Sequence, residues 1–131
     1  MLSLGAGMLL FAGDSAAGGH WRDIRARLGP PDVALLPIGA YEPRWFMAAA
    51  HMNPHEAVEA HLALGARRSI GMHFGTFQLT DEAIDAPLRA LDAARQALKV
   101  DAFETLGFGE TGVFELEGRS ASAAIVADTQ G

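Results

Sequence analysis

Three short, unbroken apolar runs constrain this chain more than any other feature. Met8-Leu9-Leu10-Phe11 ends in Ala12-Gly13-Asp14, Val33-Ala34-Leu35-Leu36 follows Asp32, and Ser69-Ile70-Gly71-Met72-His73-Phe74 is the third. None alternates apolar with polar residues, as a half-exposed antiparallel strand does. Continuous runs of this length, bounded by glycine or proline, are the pattern of strands buried on both faces of a parallel sheet.

Helical sequence separates the runs. Over residues 20–28, Trp21, Ile24 and Leu28 fall on one face while the arginines and Asp23 point elsewhere, and Gly29-Pro30-Pro31 ends the stretch. Asn53-Pro54-His55-Glu56 reads as a helix start: an N-cap asparagine, proline in the first turn, and a glutamate three residues on as a capping-box variant. Ala57, Val58, His61 and Leu62 form its apolar face, and Gly65 suits a left-handed C-cap. A third helix runs within residues 80–100, regular from about Asp85 or Ala86, with Leu88, Leu91, Arg95 and Leu98 as its stripe. Residues 37–52 are irregular and carry Tyr41, Trp45 and Phe46; loops this long inside a compact domain tend to be functional. Residues 103–116 read as a closing hairpin around Gly107, Gly109 and Gly112, and the small polar stretch 119–131 as a frayed tail.

Alternating strands and helices predict an α/β fold with a mainly parallel sheet. Three helices are too few to clad both faces, so they are expected on one face, with the other meeting something else. Half the residues are hydrophobic, which argues against disorder. Ten basic against sixteen acidic residues argue against nucleic-acid binding, which runs on phosphate neutralisation. The chain has no cysteine, so disulfides, thiolate metal sites and cysteine catalysis are out. The apolar first twelve residues lack the basic n-region of a signal peptide, and no run approaches the ~20 apolar residues of a membrane span. A cytoplasmic location is the expectation.

Ligand-binding residues of parallel α/β sheets collect just beyond the carboxyl ends of the strands. Asp14 follows the first strand, His51 lies in the loop after the second, and His73 ends the third. A carboxylate and two imidazoles on one rim, with no thiolate, suit zinc, iron or manganese. Each has a structural alternative: Asp14 as a turn former or cap, His73 as a core or rim histidine, His51 as a support for the following helix. His51 and His55 have helical-ligand spacing, but Asn53 and Pro54 break any helix between them. Ser15 lies outside a Gly-x-Ser-x-Gly elbow, and Gly13, Gly18 and Gly19 form neither a dinucleotide nor a Walker motif.

Taken in order, Leu10-Phe11-Ala12-Gly13-Asp14, residues 32–47 with Pro37-Ile38-Gly39-Ala40-Tyr41-Glu42-Pro43-Arg44-Trp45-Phe46, His51-Met52-Asn53-Pro54-His55-Glu56-Ala57, and His73-Phe74-Gly75-Thr76-Phe77 resemble one family. It is that of the metallo-β-lactamase-fold hydrolases typified by N-acyl-phosphatidylethanolamine-hydrolysing phospholipase D. The resemblance implies an αββα sandwich in which two zinc ions hydrolyse a phosphodiester or lipid-like substrate. It also implies Asp14 as the metal-bridging aspartate, His73 as the last histidine ligand, and His51 as a catalytic histidine near the scissile phosphate. The family's His-x-His-x-Asp-His motif has no counterpart among His20, His51, His55, His61 and His73, and residues 15–19 depart from its Thr-Gly-Tyr-type loop. Residues 1–117 are therefore expected to be the C-terminal half of such a domain, and 118–131 a flexible tail. The isolated chain is expected to be inactive and to self-associate, or to bind an N-terminal half, through its bare sheet face. The alternatives are half of a split hydrolase completed by a separate chain, and a non-enzymatic oligomeric remnant.

Overall fold

The computed structural model of the chain describes residues 1–3, 7–78, 80–115 and 124–128. Four parallel strands carry the fold: β2 (Met8–Phe11), β3 (Val33–Pro37), β4 (Arg68–Met72) and β5 (Phe103–Thr105). A two-residue strand, β1 (Leu2–Ser3), adds antiparallel to β2, giving the sheet order β1-β2-β3-β4-β5. The crossovers hold α1 (His20–Leu28), α3 (Pro54–Leu64) and α4 (Ala86–Leu98), and the loop before α3 holds a four-residue turn of helix, α2 (Arg44–Met47). That turn lies inside the stretch read as irregular.

Register decides which side chains meet the helices. Leu10, Ala34, Ser69 and Phe103 lie opposite one another across the four strands and share one face. Against this row pack Trp21 of α1, Ala57, Val58 and Leu64 of α3, and Leu91 and Ala94 of α4, all buried. The three long helices thus clad one face, as the helix count implied. α3 starts where its sequence says it should: Asn53 accepts from the Glu56 amide at 2.8 Å, Glu56 accepts from the Asn53 amide at 3.0 Å, and Gly65 closes the helix at φ 64°. Leu62 and Leu28 depart from their predicted apolar faces and are exposed.

The opposite face corrects two expectations. Strand β2 is not buried on both sides: Phe11 is 62% exposed and Leu9 half-buried, since no helix crosses there. The predicted hairpin over 103–116 does not form either. Phe103 is drawn into the helix-side core, so β5 pairs in parallel with β4, while β6 (Thr111–Glu115) pairs antiparallel with β7 (Ala124–Asp128). Part of the stretch expected to fray is therefore a strand; residues 116–123 and 129–131 lie outside the described residues. From β6, Phe114 drops onto Val33 and Ile70, with the Arg68 guanidinium 5.7 Å from its ring centre. Leu35 and Leu106 fringe this small second core, which covers only part of the face.

Two buried polar groups brace the sheet. Asp32 accepts from the Met8 amide at 2.7 Å and pairs with Arg67 at 3.6 Å, which joins the starts of β2 and β3 to β4. His61 of α3 sits 2.7 Å from the Ser69 hydroxyl, its ring 5.9 Å from that of Phe103. Burial holds the His61 imidazole below its ordinary pKa of 6.5. The folded chain favours the neutral ring, so this contribution to stability is complete above the unfolded-state value and is lost as pH falls through the folded one. Urea midpoints are expected to fall on acidification below about pH 6.5, by less in His61→Gln than in the parent. Equal pH slopes in the two would show that His61 is not the source.

Candidate functional site

The rim at the carboxyl ends of β2, β3 and β4 gathers one carboxylate and two imidazoles, those of Asp14, His51 and His73. Beyond β2 the backbone turns at Gly13, φ 60°, which releases Asp14 from the strand direction. The Ser15 hydroxyl donates to the Ala12 carbonyl at 2.6 Å, and the Met52 amide donates to the Ser15 carbonyl at 3.2 Å. These bonds tie the Asp14 loop to the segment that carries His51. Beyond β4, His73 itself takes a left-handed conformation, φ 62°. Residues other than glycine seldom do so, histidine more often than most.

The result is a close pair. His73 Nε2 lies 3.0 Å from Asp14 Oδ1, and the His51 ring stacks on the His73 ring at 5.4 Å between centres and 14° between planes. His51 Nδ1 is buried and has no hydrogen-bond partner among the described residues. An unpaired buried polar atom is costly enough to call for an explanation. All three residues expected at the rim from their strand-end positions are together there. His55 is not among them: it is exposed and pairs with Glu59 one turn along α3.

Three further residues shape the rim, and sequence reading singled out none of them. Gly39 passes so close under the β4 end that a Cβ there would lie 2.2 Å from the His73 carbonyl oxygen. Glu82 accepts from the Tyr41 and Glu42 amides, each at 3.1 Å, and so holds the loop after β3. Burial pushes its carboxyl up, but hydrogen bonds from the Thr80 side chain and from the amides of Glu82, Glu42 and Tyr41 outweigh this and leave it below the ordinary carboxylate range. Arg44 bonds the Tyr41 and His51 carbonyls and the Glu56 carboxylate. Beside the rim opens a cavity of about 620 Å³ bordered by Asp14 and His73. Its apolar wall is the helix-free sheet face, with Phe11 and Leu35, and it is lined further by Phe77, Leu106 and Phe108.

The donor set can be tested against a metal centre. A carboxylate and an imidazole 3.0 Å apart are of the right types, but among the described residues no group of three His, Cys, Asp or Glu side chains is arranged to hold a metal ion. A hydrolytic metal needs about three protein ligands and an open position. The described residues do not make a complete centre, and no reaction step through a metal follows from them alone.

Comparison with known proteins places this arrangement. Residues 3–74 match the family described as the Beta-lactamase superfamily domain. The chain belongs to that family. A crystal structure of the metallo-beta-lactamase fold protein YhfI from Bacillus subtilis superposes on this superfamily chain with a TM-score of 0.53, over 79% of it and 37% of YhfI, at 19% identity. This likeness shows the fold. Among curated relatives, the N-acyl-phosphatidylethanolamine-hydrolyzing phospholipase D 1 of Caenorhabditis elegans is 48% identical over 95 residues, 70% of the chain and 27% of the relative. A UPF0173 metal-dependent hydrolase of Rubrobacter xylanophilus is 44% identical over 66 residues, 50% of the chain and 24% of the relative. The superfamily chain thus spans about a quarter of the length of these relatives. Its described helices include none long and apolar enough to cross a membrane.

Proposed function

We propose that this chain supplies one part of a metal-dependent phosphodiesterase site and that the remaining ligands come from a second polypeptide segment seated on its bare sheet face. The observation that carries the reading is the Asp14–His73 pair at 3.0 Å with His51 stacked against it, at the rim of a parallel sheet of this superfamily. Asp14 suits a shared metal because its two oxygens can each meet a cation, and His73 Nε2 is a second donor. Zinc is the proposed metal, two ions in the completed site; bound there, it would supply an acidified water and charge stabilisation on the substrate oxygens.

The chain's own contribution is positional. His51, packed on the His73 ring, is placed to hydrogen-bond or protonate a phosphate oxygen. The apolar wall beside the pair suits the hydrocarbon part of a lipid-like phosphodiester, in keeping with the substrate named for the Caenorhabditis elegans relative. Association through the sheet face is favoured by Phe11, which stands 62% exposed beside a half-buried Leu35. Burying such apolar surface contributes about 25 cal/mol per Å².

The test is zinc content and hydrolysis of a chromogenic aryl phosphodiester, measured on the chain alone and after addition of a segment bearing His-x-His-x-Asp-His. We expect no turnover alone, zinc uptake and turnover together, and loss of that turnover in Asp14→Ala and His73→Ala. Stoichiometric zinc with turnover by the chain alone would overturn the partial-site reading. Full activity of the completed pair with Asp14 or His73 removed would overturn the residue assignments.

A further inference from the structure

Resting on the reading of His51 as a site residue, we infer that Arg44 is a positioning residue that fixes the His51 ring against His73. One guanidinium closes the segment between the two ends of the aromatic loop. Its Nη1 donates to the Tyr41 carbonyl and to the His51 carbonyl, each at 3.2 Å, and its Nη2 donates to Glu56 Oε1. The same Glu56 oxygen accepts from the Asn53 amide at 3.0 Å, so the capping box of α3 and the guanidinium share one anchor. Both side chains are largely withdrawn from solvent, at 29% and 24% exposure. An exposed ion pair contributes little, whereas a guanidinium fork with fixed acceptors sets geometry.

What this anchor holds is His51. The amide of His51 donates to the Met47 carbonyl at 2.9 Å, and its carbonyl accepts from Arg44, so both of its backbone polar groups are tied. Its ring has no such tie at Nδ1. The stack on His73 therefore depends on where the backbone delivers the ring, and Arg44 is the side chain that sets this. α2 lies between the two tied carbonyls, so the exposed Trp45 and Phe46 are displayed from a loop whose base is fixed.

The experiment is nuclear magnetic resonance on the 131-residue chain at neutral pH, following the ring protons of His51 and His73 and the cross-relaxation between the two rings. The His61 ring signal reports whether the fold is intact. Arg44→Gln and Arg44→Lys are expected to shift both signals and lose the inter-ring contact while His61 stays in place, since an ammonium cannot bridge two carbonyls and a carboxylate as the planar fork does. Glu56→Gln, whose amide oxygen still accepts from Asn53, is expected to give a smaller shift of the same sign. Unchanged His51 and His73 signals in both Arg44 variants would overturn the inference. So would loss of the His61 signal in all three variants, because Arg44 would then be a brace for the whole fold. No turnover enters this measurement, so the inference and the hydrolase reading fail separately.

Discussion

Phe103→Ala is expected to lower the unfolding free energy by about 3–5 kcal/mol, the usual range for removing a fully buried aromatic ring. The ring is wholly excluded from solvent, lies in the core row shared with Leu10 and Ala34, and faces His61 at 5.9 Å. Two losses add. The apolar surface returns to water, and the space left beside His61 admits water to an imidazole that burial now keeps neutral. Stability of a domain this size is about 5–15 kcal/mol, so the loss takes from about a fifth of it to nearly all. Urea denaturation followed by tryptophan fluorescence, with Trp21 in the same core, measures this. A midpoint within error of the parent would mean that β5 does not anchor the sheet edge.

Gly39→Ala is expected to displace His73 and, if the proposed completed site forms, to lower its turnover by about 100-fold, the cost typical of a displacement near 1 Å at reacting groups. The new methyl would sit 2.2 Å from the His73 carbonyl oxygen and 3.1 Å from the Phe74 Cα. Both are backbone atoms, so no rotamer change relieves the contact. Either the loop after β3 lifts, against the two Glu82 hydrogen bonds that hold it, or the β4 end moves and carries the imidazole away from Asp14. Overpacking of this kind costs about 1–3 kcal/mol in stability. A crystal structure of the variant reads the Asp14–His73 separation directly. A pair still at its parental distance, with parental turnover in the completed enzyme, would show that Gly39 is not what seats His73.

Much of the helical layer was legible from short-range chemistry. α1 is bracketed by Gly18-Gly19 and by Gly29-Pro30-Pro31, and α3 by a capping box and a C-cap glycine, all signals within a few residues of the element they bound. The strand-end rule brought out Asp14, His51 and His73 for the same reason. The ending of the fold was not legible. Phe103 and its glycine-rich sequel carry the local pattern of a hairpin, but Phe103 pairs with Ser69, on a strand more than thirty residues earlier in the chain. No turn residue reports on that competition. Gly39, Glu82 and Arg44 were missed for a related reason. Their partners are His73, the Tyr41 and Glu42 amides, and the His51 carbonyl, so each matters only once distant segments are close. Even the second sheet face was legible only as a shortage of helices, since the Phe114 contact over Val33 and Ile70 depends on where β6 returns.

The left-handed backbone at His73 ties chemistry to durability. Glycine adopts such a turn freely, whereas an L-residue crowds its Cβ against the next carbonyl at a cost of about 1–2 kcal/mol. Keeping an imidazole at that corner concedes a measurable share of the fold's thin margin to hold one ring opposite one carboxylate.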